Sequence, residues 1–466
     1  MSRRGALILS FIALAAFLGA SIFISASLFA RNRALSSDLV RERELAAQRA
    51  AFPPEFFMDA DGTDFISGEE GYFEKKKQFQ AEGADFIDVD LNEMKLRLYE
   101  KGRERETLPV LTKGREGSWW ETPTGKYAVI SKSANHYSSI GHVWMPWSIQ
   151  FYGNFFIHGW PYYEGGKPVE QSYSGGCIRL SSEDAAKVYA FAKRGTPILI
   201  YERETARENI PPLVPRGPQV PAPQISAEAA IVADLDTGEV LFNKNADAEL
   251  PLASVTKLMT AVVGSETVYL ERGIAIREPM MRDAIQSYPL QVGKSYMAFD
   301  LYYPLLMQSS NGAGRALASF TGEGEFVRQM NEKAKTLGMA HTAFADPNGI
   351  GDGNAGTLKD MAKLMKYILL KRGFILDITK GKRLTIFSEG ELSSIENFND
   401  FASDPRLIGM KNGKTIAAKE SMATAWLLTS PDGSSRRIMV GVLVSDGRKS
   451  DVERLLEWTD AQFGLE

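Results

Sequence analysis

Cysteine and histidine are scarce in this 466-residue chain, which contains one cysteine, Cys177, and four histidines. A single cysteine excludes an intramolecular disulfide and a structural zinc site built on several thiolates. The sequence also lacks an excess of basic residues, because 54 Lys and Arg stand against 58 Asp and Glu. That balance argues against a phosphate-binding surface, so no nucleic acid partner is expected. Nothing in the sequence implies a metal or a cofactor.

One stretch lacks charge altogether: residues 5–30 are 26 consecutive uncharged positions that follow Arg3 and Arg4. As a helix this stretch would be about 39 Å long, more than the roughly 30 Å hydrocarbon core of a bilayer. It is also longer than the apolar region of a signal peptide. The sequence therefore predicts an uncleaved, single-pass transmembrane anchor over 5–30, with a cleaved signal as the alternative. The chemistry described below favours an extracytoplasmic location for the body, periplasmic or outer.

Changes in periodicity and composition divide the rest of the chain. Residues 31–84 combine a stalk-like helical pattern with a part of uncertain structure. Apolar and polar residues alternate from 85 to 204, which is typical of strands. Residues 205–225 form a proline-rich linker, and its six prolines lie within 211–223, a stretch that predicts a semi-rigid spacer of roughly 40 Å. Strands enclose a helical middle in 226–466, so the predicted fold class is multidomain: an N-terminal transmembrane helix, a mainly-β domain and an α/β three-layer domain.

The first candidate site joins His158 to Cys177. The sequence there reads His158-Gly159 and, sixteen residues after His158, Ser174-Gly175-Gly176-Cys177-Ile178-Arg179. A thiol attacks as the thiolate and needs a nearby base or positive charge. His158 is suited to act as the base and then as the cation paired with the thiolate. The two glycines free the backbone to direct N–H groups at an oxyanion, and Arg179 adds a fixed positive charge.

This segment resembles the catalytic motif of L,D-transpeptidases, which are cell-wall enzymes, and the resemblance covers about 85–202. It extends to the turn at 122–127 and to Met145-Pro146-Trp147. The resemblance implies that Cys177 is the nucleophile and His158 the base. It further implies that Ser174 orients the site and that Arg179 supports it. The amides of Gly176 and Cys177 would form the oxyanion hole, and Gly175 belongs to the same turn. The chain departs from the family at Gly175, where many members have a second histidine.

Other aromatic and imidazole side chains flank this motif. His136 and His142 precede it on an expected loop, either as surface residues or as a lid over the pocket. Trp160, Tyr162 and Tyr163 follow the base, and they either line a substrate groove or pack the β-domain. The sequence leaves both pairs of alternatives open.

The second candidate site is built on Ser254 and Lys257. Three residues apart on a helix, they share a face. A lysine kept neutral by burial or by a second cation can take the proton of the hydroxyl. Two further elements strengthen this weak signal: Ser309-Ser310-Asn311, which begins 55 residues after Ser254, and Lys411-Asn412-Gly413-Lys414, which begins 102 residues after Ser309.

These elements resemble the S-x-x-K, S-x-N and K-T-G motifs of penicillin-binding proteins and serine β-lactamases. Over about 227–465 the sequence looks most like the D-alanyl-D-alanine carboxypeptidases, which implies a serine β-lactamase-like fold. The resemblance implies that Ser254 is acylated, that Lys257 is its base and that Ser309 relays a proton. A β-lactamase is less favoured, because no Glu-x-x-Leu-Asn type segment is present.

The same resemblance implies residues that bind the substrate of the serine. Asn311 would hold its amide, and Lys411 its terminal carboxylate. Gly413 would let the substrate lie along a strand edge, and the amides of Ser254 and Lys414 would form the oxyanion hole. The chain departs from the family at Asn412, where a hydroxyl residue is usual, and at Gly312, where the carboxypeptidases usually have an aspartate.

Together the two resemblances predict a membrane-anchored peptidoglycan enzyme with two activities. The serine domain would trim pentapeptide stems, the cysteine domain would crosslink the resulting tetrapeptides, and β-lactams would inhibit. Tethering the two sites would raise the local concentration of donor. Two alternatives stay open: a degenerate second domain that binds muropeptide without turnover, and a cysteine domain that hydrolyses stems or attaches them to protein.

Overall fold

The computed structural model describes residues 68–116, 118, 120–138, 141–170, 174–203, 210–282, 290–384, 392 and 395–465. The first domain is built mainly from strands. These are β1 (Phe86–Asp90), β2 (Lys95–Glu100), β3 (Arg103–Pro109), β4 (Gly125–Ala128), β5 (Ser131–Ser138), β6 (Val143–Tyr152), β7 (Phe155–His158), β8 (Ile178–Arg179) and β9 (Pro197–Tyr201). Its helices are α1 (Gly68–Ala81) and α2 (Ser182–Phe191).

Two sheets enclose the core of the first domain. One has the strand order β3-β2-β1-β9-β4 and the other the order β5-β6-β7-β8. Side chains of a strand alternate between the two faces of its sheet. Ile87 and Val89 of β1 therefore enter the core, together with Ile149 and Ile157 of the second sheet. Phe86 points to the opposite face of the first sheet.

Helix α1 covers that opposite face, although the sequence pattern left its region unassigned. The ring of Tyr72 stacks on Tyr201 with 4.4 Å between centroids. The Tyr72 hydroxyl donates to Asp88 at 2.5 Å, and Lys76 lies 2.6 Å from the same carboxylate. A buried carboxylate is costly unless it is paired. These two contacts therefore explain how Asp88, fully buried in β1, is accommodated.

The second domain consists of a central sheet with helices on both sides. Its strands are β10 (Ala229–Asp234), β11 (Val240–Lys244), β12 (Leu250–Pro251), β13 (Gly273–Ala275), β14 (Ser295–Met297), β15 (Ala355–Gly356), β16 (Leu407–Thr415), β17 (Lys419–Thr429) and β18 (Ser435–Ser445). Its helices are α3 (Lys257–Thr267), α4 (Tyr302–Met307), α5 (Asn311–Ala318), α6 (Glu323–Thr336), α7 (Leu358–Lys371), α8 (Phe374–Thr379) and α9 (Arg448–Phe463).

The central sheet is antiparallel, with the order β11-β10-β18-β17-β16. Ala229 and Ile231 of β10 belong to the large apolar cluster formed with the helical middle of the domain. Ala230 and Val232 point the other way, into the cluster that includes Leu455 of α9. The alternation places the sheet between two helical layers, which is the three-layer α/β arrangement expected from the sequence.

The proline-rich segment lies along the second domain in its described part, 210–225. Leu213 and Val220 pack against the apolar cluster beneath α9. The Arg216 amide donates to the Gln462 carbonyl at 2.7 Å, and the Val220 amide donates to the Gln462 side chain at 2.7 Å. The described part of the predicted semi-rigid spacer is thus attached to the second domain through the partly buried side chains of Leu213 and Val220.

The predicted transmembrane helix over 5–30 lies outside the described residues. In the part of the chain that the structure describes, no helix is both long enough and apolar enough to cross a bilayer. The longest described helix, α9, has 16 residues. At 1.5 Å per residue it reaches about 24 Å, short of the roughly 30 Å hydrocarbon core. The fold class is corrected accordingly to a mainly-β domain followed by a three-layer α/β domain, without a supported transmembrane helix.

Candidate active sites

The first candidate site lies where β7 meets β8. These strands are parallel, and their register pairs Ile157 with Ile178 and His158 with Arg179. Cys177 directly precedes β8, so the register places it beside Phe156, two residues before His158 on β7. The backbone amide of Leu180 donates to the His158 carbonyl at 2.9 Å and continues the contact beyond the ladder. Two residues that are 19 positions apart in the sequence are thus on neighbouring strands.

The His158 imidazole is buried and held in one tautomer. Its Nδ1 lies 2.6 Å from the Gly159 carbonyl oxygen. A carbonyl oxygen only accepts hydrogen bonds, so Nδ1 carries the proton and Nε2 keeps its lone pair. Burial lowers the pKa of His158 to about 3, against the opposing effect of the Gly159 carbonyl. The side chain is therefore a neutral base whose Nε2 is free to take a proton.

The Cys177 thiol is also held in its neutral form. It is 8% exposed, and its Sγ donates to the Asn154 carbonyl at 3.8 Å. Burial raises the pKa of Cys177 to about 11, although the Phe156 amide and Arg179 act in the opposite direction. In the described residues no hydrogen bond joins Sγ to the imidazole. The resting site thus differs from the expected thiolate–imidazolium pair, because separated charges are unfavourable where both groups are desolvated.

Because the chain has a single cysteine, the protonation state of Cys177 can be measured directly. We expect the rate of its alkylation by iodoacetamide to rise about tenfold per pH unit from neutral pH and to level off near a pKa of about 11, since only the thiolate reacts. The reaction is followed by the mass of the intact protein, and the Cys177→Ser variant measures background alkylation. A rate already at its plateau at neutral pH would contradict this assignment.

The turn before Cys177 is held by side-chain hydrogen bonds to two of its carbonyl groups. The Ser174 hydroxyl donates to the Cys177 carbonyl, and the Thr122 hydroxyl donates to the Gly176 carbonyl at 2.9 Å. Gly176 has φ +96°, and a Cβ there would lie 2.3 Å from the Phe155 ring, so only glycine fits. No acceptor for the N–H groups of Gly176 and Cys177 is found among the described residues. Both amides are therefore available to a developing oxyanion.

Gly175 and Arg179 lie on either side of this turn. A Cβ at Gly175 would meet nothing within 4 Å, so the histidine that many family members carry there is not excluded by packing.

The Arg179 guanidinium lies 5.7 Å from the centre of the Trp160 ring. Its Nε and Nη1 are buried without a hydrogen-bond partner among the described residues. A buried cation with two unpaired N–H groups is suited to bind a carboxylate.

The flanking aromatic and imidazole residues have different surroundings. His136 is part of β5 and stacks on Phe156 with 4.8 Å between ring centres, so it is a packing residue and not a loop residue. His142 is exposed in the turn before β6. The Tyr162 hydroxyl accepts from Asn135 at 2.8 Å, whereas Tyr163 is 43% exposed.

The second candidate site is formed where a 3-10 turn, Ala253–Thr256, leads into α3. The Lys257 Nζ lies 2.8 Å from the Ser254 Oγ and donates to the Asn348 carbonyl at 2.7 Å. Strand β16 passes directly behind the serine, since a Cβ at Gly413 would lie 2.6 Å from the Ser254 amide nitrogen. Glycine at this position therefore allows the strand edge to approach the nucleophile.

Lys257 is held as a neutral amine. Its side chain is fully buried. Burial holds the pKa of Lys257 well below its ordinary value, and Lys411 and Arg315 lower it further against the opposing effect of Asp346. An uncharged amine within hydrogen-bond distance of a hydroxyl can accept its proton. The arrangement supplies the base that the S-x-x-K spacing predicts.

Ser309 and Asn311 lie at the start of α5, which packs against α3. Ser309 adopts φ +59°, an uncommon backbone conformation for a residue with a side chain. Its Oγ is buried and has no hydrogen-bond partner among the described residues. The Ser310 side chain caps the helix by accepting from the Ala313 amide at 3.2 Å. The Ser309 hydroxyl is thus left for a substrate or a water molecule.

The K-T-G-like element lies on β16. Burial lowers the pKa of Lys411 to about 7, with Arg448 acting in the same direction and Asp400 opposing it. Its Nζ donates to the Asn412 carbonyl at 2.8 Å. Asn412, where the chain departs from the family pattern, contacts Asp400, with its amide nitrogen 3.4 Å from the carboxylate.

Two further residues of the predicted set lie at the edge of this site. The Lys414 side chain is exposed and pairs with Glu420 at 3.0 Å, which leaves only its backbone amide to act at an oxyanion. Gly312 lies in α5, where a Cβ would approach the Met281 sulfur at 3.1 Å. A larger residue at 312 would therefore require Met281 to move.

Sequence reasoning missed several groups that position these side chains, because they act through backbone atoms. The carbonyls of Gly159, Asn154 and Asn348 contact His158, Cys177 and Lys257. Asp346 fixes the turn at Asn348 by accepting from its amide at 2.7 Å. The run Asp346-Pro347-Asn348-Gly349 was the one available signal, since Asp and Asn followed by Gly indicate a turn.

Two family models match this chain, and each matched range contains one of the two candidate sites. A sequence model of the L,D-transpeptidase catalytic domain matches residues 84–200. A sequence model of the D-alanyl-D-alanine carboxypeptidases matches residues 217–440. This chain carries an L,D-transpeptidase domain followed by a D-alanyl-D-alanine carboxypeptidase domain. Cys177 and His158 belong to the L,D-transpeptidase domain, and the serine site belongs to the carboxypeptidase domain.

Individual relatives resemble the carboxypeptidase domain. A D-alanyl-D-alanine endopeptidase of Pseudomonas aeruginosa is 35% identical over 147 residues, which cover 30% of this chain and 47% of the relative. A D-alanyl-D-alanine carboxypeptidase of Bacillus subtilis is 28% identical over 260 residues, covering 51% of this chain and 63% of the relative. The chain thus spans about half of the length of these curated relatives. A solved carboxypeptidase of Mycobacterium tuberculosis is 27% identical with a TM-score of 0.46, covering 54% of this chain and 96% of that structure.

Proposed function

We propose that this protein remodels peptidoglycan with two nucleophiles. The carboxypeptidase domain removes the terminal D-alanine from pentapeptide stems, and the L,D-transpeptidase domain uses the tetrapeptide product as the donor for a crosslink. Stem peptides of the wall are the substrates, and β-lactams are the expected inhibitors. Because such substrates are found outside the cytoplasm, we also propose an extracytoplasmic location.

In the serine reaction the Ser254 Oγ attacks the carbonyl between the two D-alanines. Lys257 takes the hydroxyl proton, and the C–N bond breaks as the terminal D-alanine leaves with a proton. Water then hydrolyses the ester and restores the hydroxyl. The amides of Ser254 and Lys414 stabilise the oxyanion, Lys411 pairs with the terminal carboxylate and Asn311 holds the substrate amide. Ser309, with its unpaired hydroxyl, relays the proton to the leaving group.

In the cysteine reaction the Cys177 thiol attacks the carbonyl that precedes the fourth residue of the stem, D-alanine. His158 Nε2 accepts the thiol proton as the S–C bond forms and passes it to the departing D-alanine. The amine of a neighbouring stem then attacks the thioester, so that a C–N bond forms and the thiol returns. The Gly176 and Cys177 amides stabilise the oxyanion, and Arg179 binds the carboxylate of the donor.

The observation that carries this proposal is the pairing of each nucleophile with a neutral base. Lys257 lies 2.8 Å from the Ser254 Oγ and is held uncharged by burial. His158 is held neutral on the strand beside Cys177, with its proton on Nδ1. A base must be unprotonated to accept a proton, and burial lowers the pKa of both side chains, which favours the neutral form of each.

A product analysis of the full chain tests the proposal. The disaccharide pentapeptide is incubated with the protein, and products are identified by mass spectrometry. We expect tetrapeptide first and an L,D-crosslinked dimer afterwards. Ser254→Ala should preserve the pentapeptide, whereas Cys177→Ser should accumulate tetrapeptide without dimer. Dimers in the Cys177→Ser variant, or tetrapeptide in the Ser254→Ala variant, would contradict the assigned roles.

A second candidate function has one observation in its favour. Asn412 stands where the family usually has a hydroxyl residue, and its side-chain amide nitrogen lies 3.4 Å from Asp400. A carboxypeptidase domain weakened in this way would bind muropeptide without turnover and would position the cysteine enzyme. Labelled penicillin separates the two functions: covalent capture that is lost in Ser254→Ala supports an enzyme, and no capture supports a binding domain.

A further inference from the structure

A cavity of about 550 Å³ lies between the two domains, and it is lined by residues that neighbour Cys177 and not by Cys177 or His158 themselves. Asn154 and Gly175 of the L,D-transpeptidase domain line one side of it, and residues within 265–272 of the carboxypeptidase domain line the other. Asn154 also accepts the hydrogen bond from the thiol. The volume falls in the range that holds small ligands. The second domain therefore forms one wall of a cavity that adjoins the cysteine site through Asn154 and Gly175.

This wall is joined to the L,D-transpeptidase domain by direct backbone contact. Glu266, near the end of α3, accepts at its carbonyl oxygen from the Asn154 amide at 3.4 Å. A Cβ at Gly153 would lie 2.3 Å from the same oxygen, so the two main chains touch. Gly153 adopts φ +41°, a conformation that glycine tolerates best. The end of α3 is thus positioned by the loop that also holds the thiol.

Buried charges fix the same wall from within the carboxypeptidase domain. The Glu266 carboxylate is fully buried, 3.1 Å from Lys333 and 2.8 Å from Arg372. Arg372 also donates to the Glu121 carbonyl at 3.1 Å, and Lys371 lies 2.6 Å from the Glu121 carboxylate. Paired charges buried in this way hold a defined geometry, because moving one partner leaves the other uncompensated. The domains are therefore docked, and the cavity is a built feature of their contact.

The cavity is separate from the place where a donor carboxylate fits. Arg179 and Trp160 do not line it, although Arg179 lies close enough to the thiol to lower the pKa of Cys177. If the donor pairs with Arg179, the cavity on the Asn154 side of the sulfur is left for the second peptide. The thiol would then lie between the two substrates, as transfer from one to the other requires.

The far wall carries two charged side chains of opposite sign. Glu271 and Arg272 both line the cavity and are exposed. Neither forms an ion pair within the described part of the chain, and the Arg272 guanidinium lies 5.5 Å from the centre of the Phe320 ring. A carboxylate attracts an ammonium group, and a guanidinium pairs with a carboxylate. The wall therefore suits a peptide that presents both an amine and a carboxylate.

On the basis of the proposed function, we propose that the carboxypeptidase domain supplies the acceptor subsite of the L,D-transpeptidase. Glu271 and Arg272 recognise the amine-bearing wall peptide that attacks the thioester at Cys177. They are specificity residues contributed by the second domain, and the cysteine site is incomplete without them. A shared substrate site explains why the two domains are in direct contact, whereas tethering alone would require only a linker.

The double variant Glu271→Gln/Arg272→Gln tests the subsite in the full chain. Its matched control is Asp247→Asn/Lys359→Gln, another charge pair of the same domain, which lies 2.8 Å apart and lines no described cavity. Acylation of Cys177 by a disaccharide tetrapeptide is followed by intact mass. The ratio of crosslinked to hydrolysed product is then measured at a fixed concentration of acceptor tripeptide.

We expect the test variant to be acylated like wild type while its ratio of crosslinked to hydrolysed product falls about tenfold, with the control variant unchanged. An unchanged ratio in the test variant would overturn the proposal. Slower acylation would assign the cavity to the donor and overturn it as well.

A second readout does not depend on catalysis. Binding of a fluorescent disaccharide tripeptide is measured by anisotropy in the Cys177→Ser background. We expect about tenfold weaker binding when Glu271→Gln/Arg272→Gln is added, and equal binding would count against the subsite. If the wild type forms no thioester at all, the proposed function fails, and this binding comparison still decides whether the subsite exists.

Discussion

Lys257→Met is expected to lower the rate of acylation of Ser254 by at least about 1000-fold, because it removes the base from the nucleophile. The amine lies 2.8 Å from the Ser254 Oγ and is kept neutral by burial. Methionine has nearly the same length and adds no charge. The rate of covalent labelling by penicillin, read by intact mass, measures the effect.

Lys257→Arg is the matched comparison for this prediction. Arginine can still donate to the Asn348 carbonyl, which Lys257 contacts at 2.7 Å, but it stays charged and cannot accept the hydroxyl proton. We therefore expect it to be as inactive as Lys257→Met. Recovery of labelling in Lys257→Arg would show that Lys257 acts through its positive charge or by supporting the structure, and not as a base. Thermal unfolding of each variant reports whether the domain still folds.

His158→Gln is expected to reduce L,D-crosslinking by about 1000-fold, the range for loss of a general base. The same substitution should leave the pH dependence of Cys177 alkylation unchanged. The reason is that burial sets the pKa of the thiol, with the Phe156 amide and Arg179 as the opposing contributions. Crosslinking is measured with tetrapeptide donor and tripeptide acceptor.

His341→Gln provides the control for the loss of a histidine. His341 is an exposed residue of the carboxypeptidase domain, 3.1 Å from Glu249. Its replacement should leave crosslinking unchanged. If His158→Gln instead shifted the alkylation curve to higher pH, the imidazole would be stabilising a thiolate. The neutral thiol–imidazole pair would then be wrong.

Local spacing predicted the nucleophile–base geometry of the serine site well. The three-residue interval between Ser254 and Lys257 predicted that they share a face, and the contact of 2.8 Å agrees with that expectation. The relative positions of residues a few places apart can be predicted from the sequence, because the geometry of the helix or strand that contains them is fixed. The catalytic roles themselves stay predictions.

Contacts between distant segments could not be predicted in the same way. The pairing of Glu266 with Lys333 and Arg372 joins three helices. Burial of Cys177 depends on the packing around β7 and β8, so the expected thiolate is replaced by a neutral thiol. The linker was expected to be a semi-rigid spacer because prolines favour extended chains, and the sequence did not predict that its Val220 packs on the second domain. Each outcome is set by tertiary burial, which composition does not reveal.

Helix α1 was missed for a related reason. Over 68–81 most side chains are polar, and the buried aromatic residues Tyr72 and Phe79 are seven positions apart. So few apolar positions give little periodicity to detect. The helix is held instead by aromatic stacking and by the Asp88 contacts, which depend on the sheet beneath it.

The central claim is that both Cys177 and Ser254 form acyl-enzymes in one chain. Intact-mass analysis after exposure to a panel of β-lactams tests it most directly. The account predicts up to two adducts on the wild type and one on each of Cys177→Ser and Ser254→Ala. The double variant should carry none. An adduct that persists on the double variant, or the absence of an adduct on either Ser254→Ala or Cys177→Ser, would contradict it.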